Sequence, residues 1–193
     1  MNTKIVICAG GKSRRMGCDK AGLELCGESL LERAVRRYSE RFGEENVFVA
    51  PGERTYGYGA AEIPDLLPGC GPMSALHASI VRLGGQCAGI FLTAVDMPLA
   101  EPVLAERLIE FAESAGEKIT LCKNGAGCET LFSWYGTGIL PETEECMRLE
   151  KYSLFGLAKK VGFAEFTAER TETLFNANTP EEFGEVKRRG TAR

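Results

Sequence analysis

Gly89-Ile90-Phe91-Leu92-Thr93-Ala94-Val95-Asp96-Met97-Pro98 is the stretch that decides the fold. Seven residues in a row are apolar or small, with one threonine among them. A half-exposed strand would alternate apolar and polar residues, so a run with no polar face belongs to a strand covered on both sides, as in a parallel sheet. Pro98 lacks the N–H that a ladder needs and stops the strand. Asp96 is left where the strand ends, either as a turn residue or as a carboxylate offered to a ligand.

Working outward, strand and helix signals alternate. Ile5 to Ala9 and Val47 to Ala50 are short apolar runs. Leu30, Leu31, Ala34, Val35 and Tyr38 recur at helical spacing after Ser29, and Met73, Leu76, Ile80 and Leu83 form a second stripe. Leu104, Leu108, Phe111 and Ala115 mark a third helix. The second half is less regular: Ile119 to Cys122 and Thr130 to Tyr135 read as strands, and Leu154 to Val161 as a short helix. Thr179-Pro180-Glu181-Glu182 has the N-cap, first-turn proline and third-position glutamate of a helix start. This alternation implies an α/β fold with a mostly parallel sheet and helices on both faces. Ligands of such sheets collect at the carboxyl ends of the strands. One domain spanning residues 1–193 is the expectation at this length.

Composition narrows the function. With 23 basic and 27 acidic residues the net charge is −4, which argues against general nucleic-acid binding. No apolar run reaches the roughly 18 residues of a membrane span, and the short run from Ile5 to Ala9 lacks a signal-peptide layout. The eight cysteines form no Cys-x-x-Cys pair and the chain has one histidine, His77, so a zinc site is not expected. Reduced thiols in a cytoplasmic protein fit better, with Cys8 and Cys26 as small buried hydrophobes. His77 falls in the apolar pattern of its helix.

The first strand runs into a glycine-rich, cationic turn: Cys8-Ala9-Gly10-Gly11-Lys12-Ser13-Arg14-Arg15-Met16-Gly17-Cys18-Asp19-Lys20. Glycines let backbone N–H groups approach phosphate oxygens closely. Two common phosphate loops are excluded by spacing. A Walker A loop needs glycine where Val6 stands, and Gly10, Gly11 and Gly17 do not form a dinucleotide fingerprint.

The turn resembles the signature of nucleotidylyltransferases. Its Ser13-x-Arg15-Met16-Gly17-x-Asp19-Lys20 order is most similar to molybdenum cofactor guanylyltransferases, with Cys8 where leucine is usual. Asp65 with Gly71-Pro72 is similar to that family's guanine-binding stretch, Asp96 to its metal-binding aspartate, and Phe175-Asn176-Ala177-Asn178-Thr179-Pro180 to its C-terminal motif. Ala50, Ala75 and the Cys128 segment depart from the pattern.

The resemblance implies a three-layer Rossmann-like nucleotidylyltransferase fold of the nucleotide-diphospho-sugar transferase type. It implies transfer of GMP from GTP to molybdopterin, or its molybdenum-bound form, with Mg²⁺ as cofactor. Molybdenum-cofactor biosynthesis or molybdoenzyme chaperone proteins are candidate partners, and neither nucleic acid nor a membrane is expected. Arg15, Lys20 and Asp96 are the candidate catalytic residues, with Asp96 also the metal ligand. Cys8, Ala9, Gly10, Gly11, Ser13, Lys20, Asp65, Gly71, Pro72 and Asp96 would bind nucleotide. Asn176 and Asn178 would bind the acceptor, or else Asn178 with Thr179 only caps the last helix. Alternatives are a CTP-dependent transferase, one acting on a sugar or alditol phosphate, and a non-catalytic nucleotide-binding regulator.

Overall fold

The computed structural model describes residues 2–10, 19–125, 127–168 and 171–190. Strand β1 (Thr3–Cys8) is followed by a two-stranded hairpin, β2 (Glu24–Leu25) and β3 (Glu28–Ser29), then helix α1 (Leu30–Phe42) and β4 (Val47–Ala50). Next come β5 (Ala61–Glu62), α2 (Pro72–Leu83), β6 (Gly89–Ala94), α3 (Pro102–Ala115), β7 (Ile119–Asn124) and β8 (Gly127–Gly136). Helices α4 (Leu140–Arg148) and α5 (Leu154–Val161), strand β9 (Ala164–Thr167) and helix α6 (Pro180–Gly190) follow.

The main sheet runs β5-β4-β1-β6-β8-β7-β9. Strand β1 is parallel to both β4 and β6, while β8 runs antiparallel between β6 and β7. All six residues of β6 are buried, as its unbroken apolar run requires. Alternate side chains enter two cores. Ile5, Ile7 and Phe91 face α1, α3 and α6 through Leu31, Leu108 and Val186. Val6, Ile90 and Leu92 face α2, α4 and α5 through Leu76, Cys146 and Leu157. Burying one such aliphatic or aromatic side chain contributes about 1.5–3 kcal/mol, so this double-sided core carries the sheet.

The sequence pattern located most elements, with the bounds of β4 and α5 as expected. It missed α4, β9 and the short strands β2, β3 and β5. The hairpin corrects one expectation: Cys26 is exposed, not a buried hydrophobe. With Gly27 it makes the two-residue turn, and both have positive φ, 57° and 80°. That is the conformation favoured by a tight hairpin, and it usually calls for Asn-Gly or Asp-Gly. Cys8 is buried as expected, and His77 sits buried in α2 with Nε2 3.7 Å from Glu144.

Candidate active site

Strands β1, β4 and β6 are parallel and end together, so their following loops meet. A cleft of about 900 Å³ opens there. Cys8, Ala9, Gly10 and Lys20 line it from the first loop, Asp65, Gly71 and Pro72 from the second, and Asp96 from the end of β6. Gly11, Ser13 and Arg15 lie outside the described residues.

Gly10 is required by packing. A Cβ built on it would stand 2.9 Å from the Cα and N of Gly52, so only glycine lets the first loop lie against the Pro51-Gly52 turn. The amides of Ala9 and Gly10 both donate to the Ala50 carbonyl, at 3.0 and 3.2 Å. These two residues therefore give the cleft its shape, with their N–H groups bonded to the last residue of β4. Ala50 and Ala75, two of the positions that depart from the family pattern, also line the wall.

The Asp19-Lys20 pair has a division of labour. The Asp19 side chain accepts from Ala21 N at 3.2 Å and caps the short turn Lys20–Gly22. It also receives Tyr56 Oη at 3.0 Å and Arg54 Nη1 at 2.6 Å. With its turn fixed, Lys20 reaches across to Asp96 Oδ2 at 2.7 Å and Asn178 Oδ1 at 2.8 Å. Three segments far apart in sequence thus converge on one ammonium group. Its side chain and that of Asp96 are 16% and 18% exposed, so the pair is shielded but reachable from the cleft.

The C-terminal motif docks beside this pair. Ala177 N donates to the Asp96 carbonyl at 2.8 Å, and the Ala177 side chain is buried in the core. The asparagines on either side of it turn the other way. Asn178 meets Lys20, and Asn176 donates Nδ2–H to Glu129 Oε2 at 3.1 Å. Helix α6 is capped by Thr179, whose hydroxyl accepts from Glu182 N at 3.2 Å while the Glu182 carboxylate receives Thr179 N at 2.9 Å. The asparagine side chains are therefore not needed to cap the helix.

On the opposite wall, Gly71 has φ 60° and ψ −142°, a conformation close to glycine-only, and Pro72 opens α2 behind it. Ser74 holds the preceding loop by donating to the Leu67 carbonyl at 2.6 Å and accepting from Cys70 N at 3.2 Å. Asp65 Oδ1 is buried without a hydrogen-bond partner among the described residues. Burial, and then the charge of Glu53, push the Asp65 carboxyl above the usual range. Burial also pushes the Cys8 thiol up, reinforced by Asp65 and Asp96, so this cysteine is an inert neutral wall.

Sequence reasoning missed Glu129, Arg54 and Tyr56. A charged residue inside an apolar strand was the available signal for Glu129. Nothing local marks Arg54 or Tyr56, because the partner that gives them meaning is more than thirty residues away.

The model of the MobA-like NTP transferase domain matches residues 5–161. The chain belongs to that family. Among its relatives, a probable molybdenum cofactor guanylyltransferase of Pelotomaculum thermopropionicum is 32% identical over 182 residues, covering 91% of this chain and 87% of its own. The crystal structure of molybdopterin-guanine dinucleotide biosynthesis protein A from Archaeoglobus fulgidus superposes with a TM-score of 0.84 at 23% identity, over 98% of this chain and 100% of the other. That of 2-C-methyl-D-erythritol 4-phosphate cytidylyltransferase from Thermus thermophilus gives 0.68 at 16% identity, over 99% and 100%. The shared fold is the Rossmann-like one of nucleotide-diphospho-sugar transferases, and this MobA-like chain is a nucleotidyltransferase.

Proposed function

We propose that this nucleotidyltransferase moves GMP from GTP to molybdopterin, or to its molybdenum-bound form, and releases pyrophosphate. The observation that carries this reading is the meeting of Lys20, Asp96 and Asn178 at the end of β6. It joins the opening loop, the strand-end aspartate and the C-terminal motif in one place. The acceptor's terminal phosphate oxygen bonds to the α-phosphorus of GTP, and the bond from that phosphorus to the bridging oxygen of pyrophosphate breaks. No covalent enzyme intermediate is needed, so positioning and charge stabilisation supply the acceleration.

Lys20, aimed by the Asp19 cap, neutralises charge developing on the phosphate oxygens, with Arg15 as the second candidate cation. The wall of Asp65, Gly71 and Pro72 receives the base. Asp65 Oδ1 lacks a partner among the described residues, and the N–H groups of guanine would supply one. Asn176 and Asn178 face the acceptor.

Asp96 is the candidate ligand for Mg²⁺. Its carboxylate, with the Asn178 carbonyl oxygen beside it, is a hard oxygen set. Among the described residues no cluster of three or more His, Cys, Asp or Glu side chains could enclose a metal. That suits an ion held by one carboxylate and completed by substrate phosphates. Bound there, the cation would draw charge from the phosphate oxygens.

All the described strands between residues 3 and 167 except the β2–β3 hairpin share the main sheet, which supports one domain over 1–193. No helix among the described residues is long and apolar enough to cross a membrane. We place the protein in the cytoplasm, where its proposed substrates would be made. The test is turnover of GTP against CTP with purified molybdopterin, read by pyrophosphate release. Faster release from CTP would replace the guanylyl reading with a cytidylyl one, and none from either would favour a non-catalytic nucleotide-binding regulator.

A further inference from the structure

Glu129 is a half-buried carboxylate inside a strand, beside the site, with no part in the reaction as drawn so far. It lies at the end of β8 that outruns β6. Their pairing closes at Thr93 with Phe132; Asp96 sits in the turn three residues past Thr93, and Glu129 lies three residues before Phe132. Its place is set by the irregular pairing of β7 and β8 between Thr120 and Cys122. There Ser133 Oγ accepts from Cys122 N at 3.0 Å and donates to the Glu129 carbonyl at 2.6 Å. The side chain is committed at both oxygens. Oε1 accepts from Leu131 N at 3.3 Å, and Oε2 from Asn176 Nδ2 at 3.1 Å.

An ionised carboxylate only accepts, whereas the two ends of an asparagine amide differ, one donating and one accepting. Facing Glu129, the Asn176 amide has one satisfied orientation, with Nδ2 toward the carboxylate and Oδ1 turned away. A glutamine at position 129, its oxygen still held by Leu131 N, would offer its N–H₂ to Asn176 and reverse that orientation. We propose that Glu129 is a positioning residue that locks the Asn176 amide so that its carbonyl oxygen is presented to a hydrogen-bond donor on the acceptor substrate, such as a pterin N–H. The inference rests on the reading of Asn176 as an acceptor-binding residue and adds which end of the amide is used and what holds it.

The pair can be tested by exchanging its chemistry. In Glu129→Gln, Leu131 N holds the glutamine oxygen, so the glutamine N–H₂ faces Asn176 and the Asn176 amide turns its carbonyl inward to accept from it, away from the substrate. In Asn176→Asp, two carboxylates face each other. In the double variant Glu129→Gln/Asn176→Asp, the glutamine N–H₂ donates to one aspartate oxygen and the other oxygen is again turned away as an acceptor. Steady-state kinetics with GTP, Mg²⁺ and molybdopterin would be measured for each, beside Asn176→Ala. The GTP-dependent melting shift would report whether the fold and the nucleotide wall are intact.

Glu129→Gln should raise the acceptor KM about tenfold, the scale of the one hydrogen bond the Asn176 carbonyl would no longer make to the substrate, with the GTP KM and melting shift unchanged. Asn176→Asp should lose at least as much. The double variant should recover most of the loss. If Asn176→Ala raises the acceptor KM and Glu129→Gln does not, Glu129 is not a positioning residue, while Asn176 keeps its role. Failure of the double variant to recover, or an equal loss toward GTP in Glu129→Gln, would likewise overturn the proposal. An unchanged acceptor KM in Asn176→Ala would remove the acceptor reading itself, and this proposal with it.

Discussion

The two walls of the cleft are finished to different degrees. On the side of β6 and β8, beside which the C-terminal motif docks, the polar groups already satisfy one another. Lys20 bridges Asp96 and Asn178, Glu129 holds Asn176, and Ala177 N is bonded to the Asp96 carbonyl. On the side built from residues 50–75, the shape is fixed by glycines and by Ser74, but Asp65 keeps a buried oxygen without a partner among the described residues. A preassembled wall suits chemistry, because positioned charges need no rearrangement during the reaction. A wall with an unmet hydrogen bond suits recognition, because a ligand that completes it gains and one that cannot is rejected.

The strongest way to break the comparison is to disassemble the finished wall. Lys20→Ala should lower turnover by about a hundredfold or more, the scale seen when one transition-state donor is removed. Steady-state rates on protein checked by circular dichroism would show it, and near-normal turnover would take Lys20 out of the chemistry.

Asp96→Asn keeps the shape and an oxygen for Lys20 but loses the charge. Activity titrated against Mg²⁺ should require a higher concentration for half-saturation and reach a lower maximum, with little change in melting. An unchanged curve would reduce Asp96 to a turn residue.

The unfinished wall should show itself in binding. GTP with Mg²⁺ should stabilise the protein more than CTP or ATP does; a ligand at a hundred times its own Kd stabilises by about 2.7 kcal/mol over the free protein. Asp65→Asn should erase that preference in a melting assay. It should also alter the pH dependence of stability. Asp65 is held above the usual carboxylate range, so the folded protein binds its proton more tightly than the unfolded chain does. Its contribution therefore turns less favourable as pH rises from the unfolded value through the folded one. In Asp65→Asn that decline should be absent, and a decline as steep as in the parent protein would assign it to other groups.

The smallest effect separates the asparagines from the helix they precede. Thr179→Ala removes the hydroxyl that caps α6 and should cost about 1 kcal/mol of stability with modest change in rate. Asn178→Ala should raise the acceptor KM or lower kcat, with the α6 cap intact. A loss confined to melting in Asn178→Ala would make the motif structural.

What the sequence by itself determined is whatever depends on near neighbours. The apolar run through Gly89–Ala94 demanded cover on both faces, and periodicity at 3.6 residues marked α1, α2 and α3. Thr179, Pro180 and Glu182 determined the start of α6 within four residues. The order of strands and loops was enough to bring the opening loop, Asp65 and Asp96 to one end of a sheet, because parallel strands put their carboxyl ends together. Only the tertiary structure decided the pairings across distance. Cys26-Gly27 carries a weak turn signal, and α4 and β9 are too short or too mixed to announce themselves. That Lys20 faces both Asp96 and Asn178, that Gly10 must touch Gly52, and that Glu129 faces Asn176 depend on which loops the sheet brings side by side. Side-chain hydrogen bonds reach only about 3 Å, so no local pattern can specify a partner tens of residues away.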